Sequence, residues 1–321
     1  MDRKAAMEET VRTKRTILFR EFGARLASVP RTIFRKKGSM DENTIGVIFS
    51  SVSEHAAPRI LNSLSSEVLK EGYSLLIRNA GNNQIKEERI LKEFIAQNVN
   101  GIIIEPSKSE MLCHHMSMYR LLDRLGIPYV FIRSTYPQTV DSPKLLIDDS
   151  RGAYLVTRHL IATGRKNIVG LFKADDADGY ERHKGYVQAL QEAGIAYDPE
   201  GVVWFHSEDR TKKPKIVIDQ MMKNRRCDAI VCYSDRMAQD LIRHFQNSGL
   251  LVPGDIAVTG YGNYLKPERG EVRLTSVDMP FDDMGTEAGK MILSMILGST
   301  PGKKTVMLEP DLVIRGSSIA E

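Results

Sequence analysis

NGIIIEPSKSEMLCHHMSMYRLLDRLGIPYVFIR, residues Asn100 to Arg133, holds one full cycle of the pattern that decides the fold. GIIIEP is a short run of isoleucines closed by a proline. MYRLLDRLG has helical spacing and stops at a glycine, and PYVFIR is a second apolar run. Strands that are apolar throughout, alternating with helices, indicate parallel strands covered on both faces. The same cycle recurs on either side. TIGVIF, a helix from Ala57 to Lys70, YSLLIR and EERILKEFIAQ come before it. After Gly152 the helix AYLVTRHLIATG opens a second series of NIVGLF, HKGYVQALQEAG, GVVWF, KIVIDQMMKN, DAIVCY, RMAQDLIRHFQNSG and IAVTGY. Two series predict an α/β protein of two similar lobes, each a doubly wound parallel sheet. A helix from Asp282 to Leu297 and a strand VMLEPDLVIRGS close the chain.

With 321 residues the chain is long enough for two lobes and a substantial core. No stretch approaches the roughly 20 apolar residues that span a bilayer, and Met1–Pro30 lacks the apolar core of a secretory signal. A cytoplasmic protein with no membrane contact is expected. The three cysteines, Cys113, Cys227 and Cys232, have no metal spacing and read as small packing residues.

Charge is unevenly placed. The formal net charge is +4, yet residues 1–40 hold eleven Lys and Arg against four Asp and Glu, a net +7 that leaves −3 for the rest. A basic tip on a slightly acidic body suits contact with a polyanion such as DNA, with Arg3, Lys4, Arg12, Arg20 and Arg25 as the candidate contacts. A solvated basic tail is the plain alternative. Residues 1–38 are read as this tip, 39–43 as a linker, and 44–321 as the core. The first lobe is expected over 44–164 and 278–305, the second over 165–277 and 306–321.

Loops at the carboxyl ends of such strands face one crevice. FKADDADGYERHKGY, Phe172 to Tyr186, is the densest of them in charge. The candidate ligand contacts are Lys108, Arg133, Asp148, Asp149, Lys173, Asp176, Arg182, Ser234, Asp235 and Asn263, with Glu105 and Asp175 beside them. Carboxylates that accept and guanidinium groups that donate form a natural grip for vicinal hydroxyls. Plainer roles exist. Asp148 and Asp149 suit a helix cap, Lys108 can cover a strand end, and Asp178 reads as a turn residue beside Gly179. His55 stands near enough to the first strand to reach the cleft. His114 and His115 are adjacent, so they occupy different helix faces, which argues against a metal pair and for exposed or core-edge histidines. No cofactor or metal is called for. The paired Asp175 and Asp176 leave a carbohydrate-acting enzyme as the rival reading, although no nucleophile or phosphate-loop motif accompanies them.

TIGVIF, NGIIIEPSKS, DDSRGAYLVTRHLIATGRKNIVGLF, RHKGYVQAL, DAIVCYSDRMA, VPGDIAVTGYGN and RLTSVDMP together resemble the effector-binding core of LacI-type regulators, relatives of the periplasmic sugar-binding proteins. EPSKS, FKADD and LEPDLVIRGS look most like the AraR-type arabinose-responsive repressors, which join this core to a GntR-type winged helix. The resemblance covers about residues 44–318. It implies an allosteric repressor, a homodimer whose core closes on a small sugar or polyol. It also implies that Arg182, in an R-x-x-G-aromatic setting, is the sugar-binding arginine. Relatives usually carry an aspartate directly after the G-aromatic pair; here that position is Gly262, and Asn263 follows. A lost charge-assisted acceptor is worth about 1.5–3 kcal/mol, so the exact effector stays open. The resemblance implies dimer faces on the two helices noted above, at Ile60, Leu61, Leu64 and Val68 and at Met284, Ala288, Met291 and Ile292. DRKAAMEETV and TILFREFGARLAS resemble only the recognition helix and wing of a GntR-type domain. A shortened reading head predicts weak, salt-sensitive DNA binding, or a sugar sensor without specific DNA recognition.

Overall fold

The computed structural model describes residues 43–51, 56–223, 227–264, 272–299 and 304–319. Two six-stranded sheets carry the chain. In the first lobe β1 (Thr44–Phe49), α1 (Ala56–Leu69), β2 (Ser74–Asn79), α2 (Gln84–Ala96), β3 (Gly101–Ile104), α3 (Met116–Leu125), β4 (Tyr129–Ile132) and β5 (Lys144–Ile147) follow in turn. In the second come α4 (Asp149–Ala162), β6 (Ile168–Lys173), α5 (Ala177–Glu192), β7 (Val202–Phe205), α6 (Lys213–Lys223), β8 (Ala229–Val231), α7 (Asp235–Asn247), β9 (Ala257–Gly262) and β10 (Thr275–Asp278). The chain returns through α8 (Phe281–Ile296), β11 (Thr305–Leu308) and β12 (Asp311–Val313).

The strand orders are β11-β5-β4-β3-β1-β2 and β12-β10-β9-β8-β6-β7. All neighbours are parallel except β10 and β12. Both sheets therefore reverse their winding beside their first strand, between β1 and β3 and between β6 and β8. Loops that leave those strands open onto the crevice at each switch point. β1, β3 and β4 are buried almost throughout, as their unbroken apolar runs demand.

Sheet membership differs from the expected lobe boundaries at two places. α4 packs on α5 and on β8, β10 and β12, so the chain enters the second lobe at about residue 149 rather than 165. VMLEPDLV is two strands instead of one: β11 pairs with β5 in the first sheet, and β12 pairs with β10 in the second. Pro310, between them, has no N–H to donate to a ladder, and the run divides there.

The helix faces expected to meet a second copy lie inside the first lobe. α1 and α8 pack on one another, and α8 also covers β3, β4 and β5. Ile60, Leu64, Val68, Met284, Ala288 and Ile292 are fully buried there, leaving only Leu61 and Met291 partly exposed. Their apolar spacing serves the core. All three cysteines are buried as well. Among the described residues no helix is long and apolar enough to cross a membrane.

Candidate functional site

Helix starts build much of the site. Asp148, Asp176 and Ser234 stand at the ends of β5, β6 and β8 and cap α4, α5 and α7, accepting from the amides of Arg151, Gly179 and Met237. Each cap leaves a helix N-terminus, with its partial positive charge, at the switch-point side of a sheet. For Asp148 and Ser234 the cap is the contact the structure provides.

The charged residues form one connected chain across both lobes. From the first lobe, Glu105 Oε1 accepts from Arg133 Nη1 at 2.6 Å. Arg133 Nη2 then donates to Asp178 Oδ2 of the second lobe at 2.7 Å. Asp178 lies 3.5 Å from Arg182 Nη2, and Arg182 Nε donates to Asp149 Oδ1 at 2.7 Å. Arg182 is 4 % exposed; its Nη1 donates to the carbonyl of Tyr233 at 2.6 Å. Its guanidinium carbon sits 3.8 Å from the ring centre of Tyr261 and 4.5 Å from that of Tyr233, so two aromatic faces hold the cation. Burial pushes the Asp149 carboxyl up to about 6 against the opposing pull of Arg182.

A second group adjoins it. Asp176 Oδ2 accepts from Tyr233 Oη at 2.6 Å and pairs with Lys173 Nζ at 2.9 Å. Burial alone would raise the Asp176 pKa, but Lys173 and the Tyr233 hydroxyl overcome it, and the net shift is downward. A carboxylate held ionised in this way is a poor proton donor at neutral pH. Asp175 Oδ2 accepts from Ser207 Oγ at 2.7 Å, while its buried Oδ1 has no hydrogen-bond partner and lies 3.8 Å from Lys173 Nζ.

The lobes also meet at the rim. Lys108 Nζ pairs with Glu208 at 3.2 Å, Asn82 Nδ2 donates to Ser207 Oγ at 3.0 Å, and the Ala177 amide donates to Ser109 Oγ at 3.1 Å. Asn82, Lys108, Arg133 and Asn263 all adopt left-handed backbone conformations, with φ of 52°, 49°, 65° and 50°. For long side chains such as Lys and Arg this is strained, and such strain gathers at ligand sites.

The structure thus brings Lys108, Arg133, Asp149, Lys173, Asp176 and Arg182 onto a single inter-lobe seam. Asp235 and Asn263 belong to a neighbouring network. Asp235, 1 % exposed, accepts from Ser276 Oγ at 2.5 Å and from the Tyr264 amide at 2.8 Å. Asn263 Oδ1 accepts from Arg315 Nη2 at 2.7 Å. Gly262 has φ of 120°, and a Cβ there would lie 2.6 Å from the Tyr264 ring, so an aspartate at this position would be strained in this backbone. Asp178, read as a turn residue, is buried between two arginines. Its helical spacing to Arg182, four residues on, was the available signal. His115, expected at the surface or the core edge, is 2 % exposed and paired with Glu87 at 3.0 Å. Neither histidine lies on a helix face as expected: both precede α3, with His115 at its N-cap, and their spacing gave no hint of Glu87. His55 and the basic residues Arg3, Lys4, Arg12, Arg20 and Arg25 lie outside the described residues. Among the described residues no group of three or more His, Cys, Asp or Glu could hold a metal ion.

Two doubly wound lobes meeting over a charged polar seam are the architecture of the periplasmic binding protein-like class. The profile of the periplasmic binding protein-like domain matches residues 157–318. The arabinose metabolism transcriptional repressor of Halalkalibacterium halodurans is 33 % identical over 309 residues, covering 94 % of this chain and 82 % of that one. The repressor PurR of Vibrio atlanticus is 27 % identical over 293 residues, covering 90 % and 85 %. Among solved structures, a complex of the transcriptional regulator CelR with cellobiose superposes with a TM-score of 0.75 at 26 % identity, covering 85 % of this chain and 84 % of that one. The chain belongs to the family of transcription regulators built on a periplasmic binding protein-like core, and its kinship is with repressors, not enzymes.

Proposed function

We propose that this chain is a repressor whose core takes a small neutral sugar, L-arabinose or a related pentose or polyol, between its lobes. The observation that carries the reading is the inter-lobe seam of paired charges with one buried carboxylate oxygen, Asp175 Oδ1, that accepts no hydrogen bond and lies 3.8 Å from Lys173 Nζ. Paired charges offer strong, directional hydrogen bonds to hydroxyls, which suits a neutral polyhydroxyl ligand. Asp175 supplies an acceptor of the kind missing at Gly262. Lys108, Arg133, Asp149, Lys173, Asp176 and Arg182 are the ligand contacts in this reading, with Asp148, Ser234, Asp235 and Asn263 behind them. The relatives named as arabinose metabolism repressors support the sugar class.

A pentose panel tests it. Trp204, the chain's one tryptophan, has its ring centre 5.0 Å from that of Tyr180, which lies on α5 between Asp178 and Arg182. A bound sugar is expected to change Trp204 fluorescence and raise the melting temperature, with the sugar recovered unaltered. A changed sugar would favour the enzyme reading, and no response to any pentose or pentitol would end the sugar reading.

In the same proposal, residues 1–38 meet DNA in the cytoplasm and the protein acts as a homodimer. Five phosphate contacts from Arg3, Lys4, Arg12, Arg20 and Arg25 give an affinity that drops about 10²–10³-fold between 50 and 200 mM salt. Gel shifts are expected to show this steep dependence, and an affinity that stays flat between 50 and 200 mM salt refutes the phosphate contacts. Sedimentation of the same sample reports the dimer, and a monomer at micromolar concentration with and without sugar removes it.

A further inference from the structure

Glu87, in the first turn of α2, is 0 % exposed and ionisable, a costly residue to bury without partners. Four donors meet it. Oε1 lies 2.8 Å from Tyr136 Oη, 2.9 Å from Tyr119 Oη and 3.0 Å from His115 Nε2; Oε2 accepts from the Ser107 amide at 2.7 Å. Tyr136 Oη also lies 3.0 Å from the Ser107 carbonyl oxygen, so its one proton is shared between Glu87 and the backbone of Ser107. Burial would lower the His115 pKa, but contacts with Cys113 and Glu87 raise it to about 9.

Ser107 belongs to the loop after β3 that forms the first lobe's lip of the cleft. Glu105 holds Arg133. Lys108 takes its left-handed conformation with its amide donating to Asn82 Oδ1 at 2.8 Å, and Ser109 meets α5 of the second lobe. A strained residue persists only where its surroundings over-determine it. Glu87 supplies that constraint from one side and Asn82 from the other.

We propose that Glu87 is a positioning residue of the cleft. Seated behind the Glu105–Ser109 loop, it fixes the backbone from which Lys108 and Ser109 reach the second lobe, and it does so without touching the effector. The link to effector affinity rests on the sugar-binding reading above; the link to the loop does not. A surface carboxylate or an apolar core residue would leave the Ser107 amide to solvent or unpaired.

The test is amide hydrogen exchange on Glu87→Gln without sugar. A glutamine must turn an NH₂ group toward donors on one side or the other. Exchange at residues 107–109 is expected to quicken at least tenfold while β1 and β6 keep the wild-type rate. Unchanged loop exchange, or acceleration spread equally through the core, overturns the proposal. If Glu87→Gln fails to fold, Tyr136→Phe keeps the carboxylate and removes the contact to the Ser107 carbonyl. The same loop-selective change is expected at smaller size, and its absence overturns the proposal equally. In a parallel L-arabinose titration the Kd of Glu87→Gln is expected to rise about tenfold. An unchanged Kd alongside a loosened loop would refute the positioning role, whereas a wild-type protein that ignores L-arabinose tells against the sugar reading and leaves the exchange arm to decide.

Discussion

Arg182→Ala is expected to weaken sugar binding at least a hundredfold, about 2.7 kcal/mol, and to cost roughly 3–5 kcal/mol of stability. Both effects come from the same atoms. Arg182 is buried, pairs with Asp149 at 2.7 Å, approaches Asp178 at 3.5 Å and lies between the rings of Tyr233 and Tyr261. Alanine leaves two carboxylates and a carbonyl facing a hole. The pH dependence is the sharper readout. Asp149 already has a folded pKa of about 6, above its ordinary value of 3.8, because burial outweighs the pull of Arg182. A carboxyl with a raised folded pKa binds more protons folded than unfolded, so stability falls as pH rises from the lower value through the higher. In the parent protein that decline is finished near neutrality. Without Arg182 the Asp149 pKa climbs further, and the decline extends through pH 6 to 8. Thermal melts of parent and variant across pH 5–8 should therefore diverge with rising pH, and parallel curves would show that Asp149 does not depend on Arg182. Arg182→Lys keeps the charge but not the planar fork, and should recover more stability than binding.

Gly185→Ala is the second large effect, and it acts through backbone rather than charge. A Cβ on Gly185 would lie 1.8 Å from the carbonyl oxygen of Ser150 and 2.8 Å from the amide nitrogen of Tyr154. Those are main-chain atoms of α4, so no side chain can swing aside, and α4 and α5 must separate. Alanine would ordinarily gain a helix about 1 kcal/mol over glycine; here overpacking of about 3 kcal/mol or more outweighs it. The melting temperature is expected to drop by about 5–10 °C. Gly201→Ala is the control, because its nearest neighbour would be 3.8 Å away. Equal melting temperatures for the two variants would contradict the close helix contact. The R-x-x-G-aromatic spacing thus divides labour along one helix: Arg182 turns to the cleft, Gly185 to α4, and Tyr186 Oη donates to the Ile168 carbonyl at 2.7 Å.

The fold was legible because it is local. GIIIEP, PYVFIR and their counterparts declare buried parallel strands without reference to anything distant. The lobe boundaries were not, since VMLEPDLV reads as one strand despite Glu309, Pro310 and Asp311 at its middle, and the pairing of β11 with β5 and β12 with β10 assigns its halves to different sheets. The candidate site was legible in composition and partly in membership, but not in pairing. Arg133 and Asp178 stand 45 residues apart, and no spacing rule links them. Tyr233 and Tyr261 end apolar strands and read as core, although their rings clasp Arg182. Glu87 sat inside a helical pattern as one more charged residue, and its burial depends on loops from three other segments.

The paths of α8 and β11 have a consequence for synthesis at the ribosome. The first lobe is interrupted after β5, and the elements that complete it, α8 and β11, emerge only after α4 through β10 have been made. That detour is about 130 residues, roughly 7–26 s of translation at 5–20 residues per second. During that interval the nascent first sheet has an open edge at β5 and an uncovered face where α8 will lie, whereas the second lobe lacks the short strand β12 and the segment after it that bonds to β9 and β10. The order of completion is therefore inverted: the domain begun first is finished after its neighbour is nearly whole. Chains stalled after β10 should accordingly resist protease over α4–β10 before they do so over β1–β5.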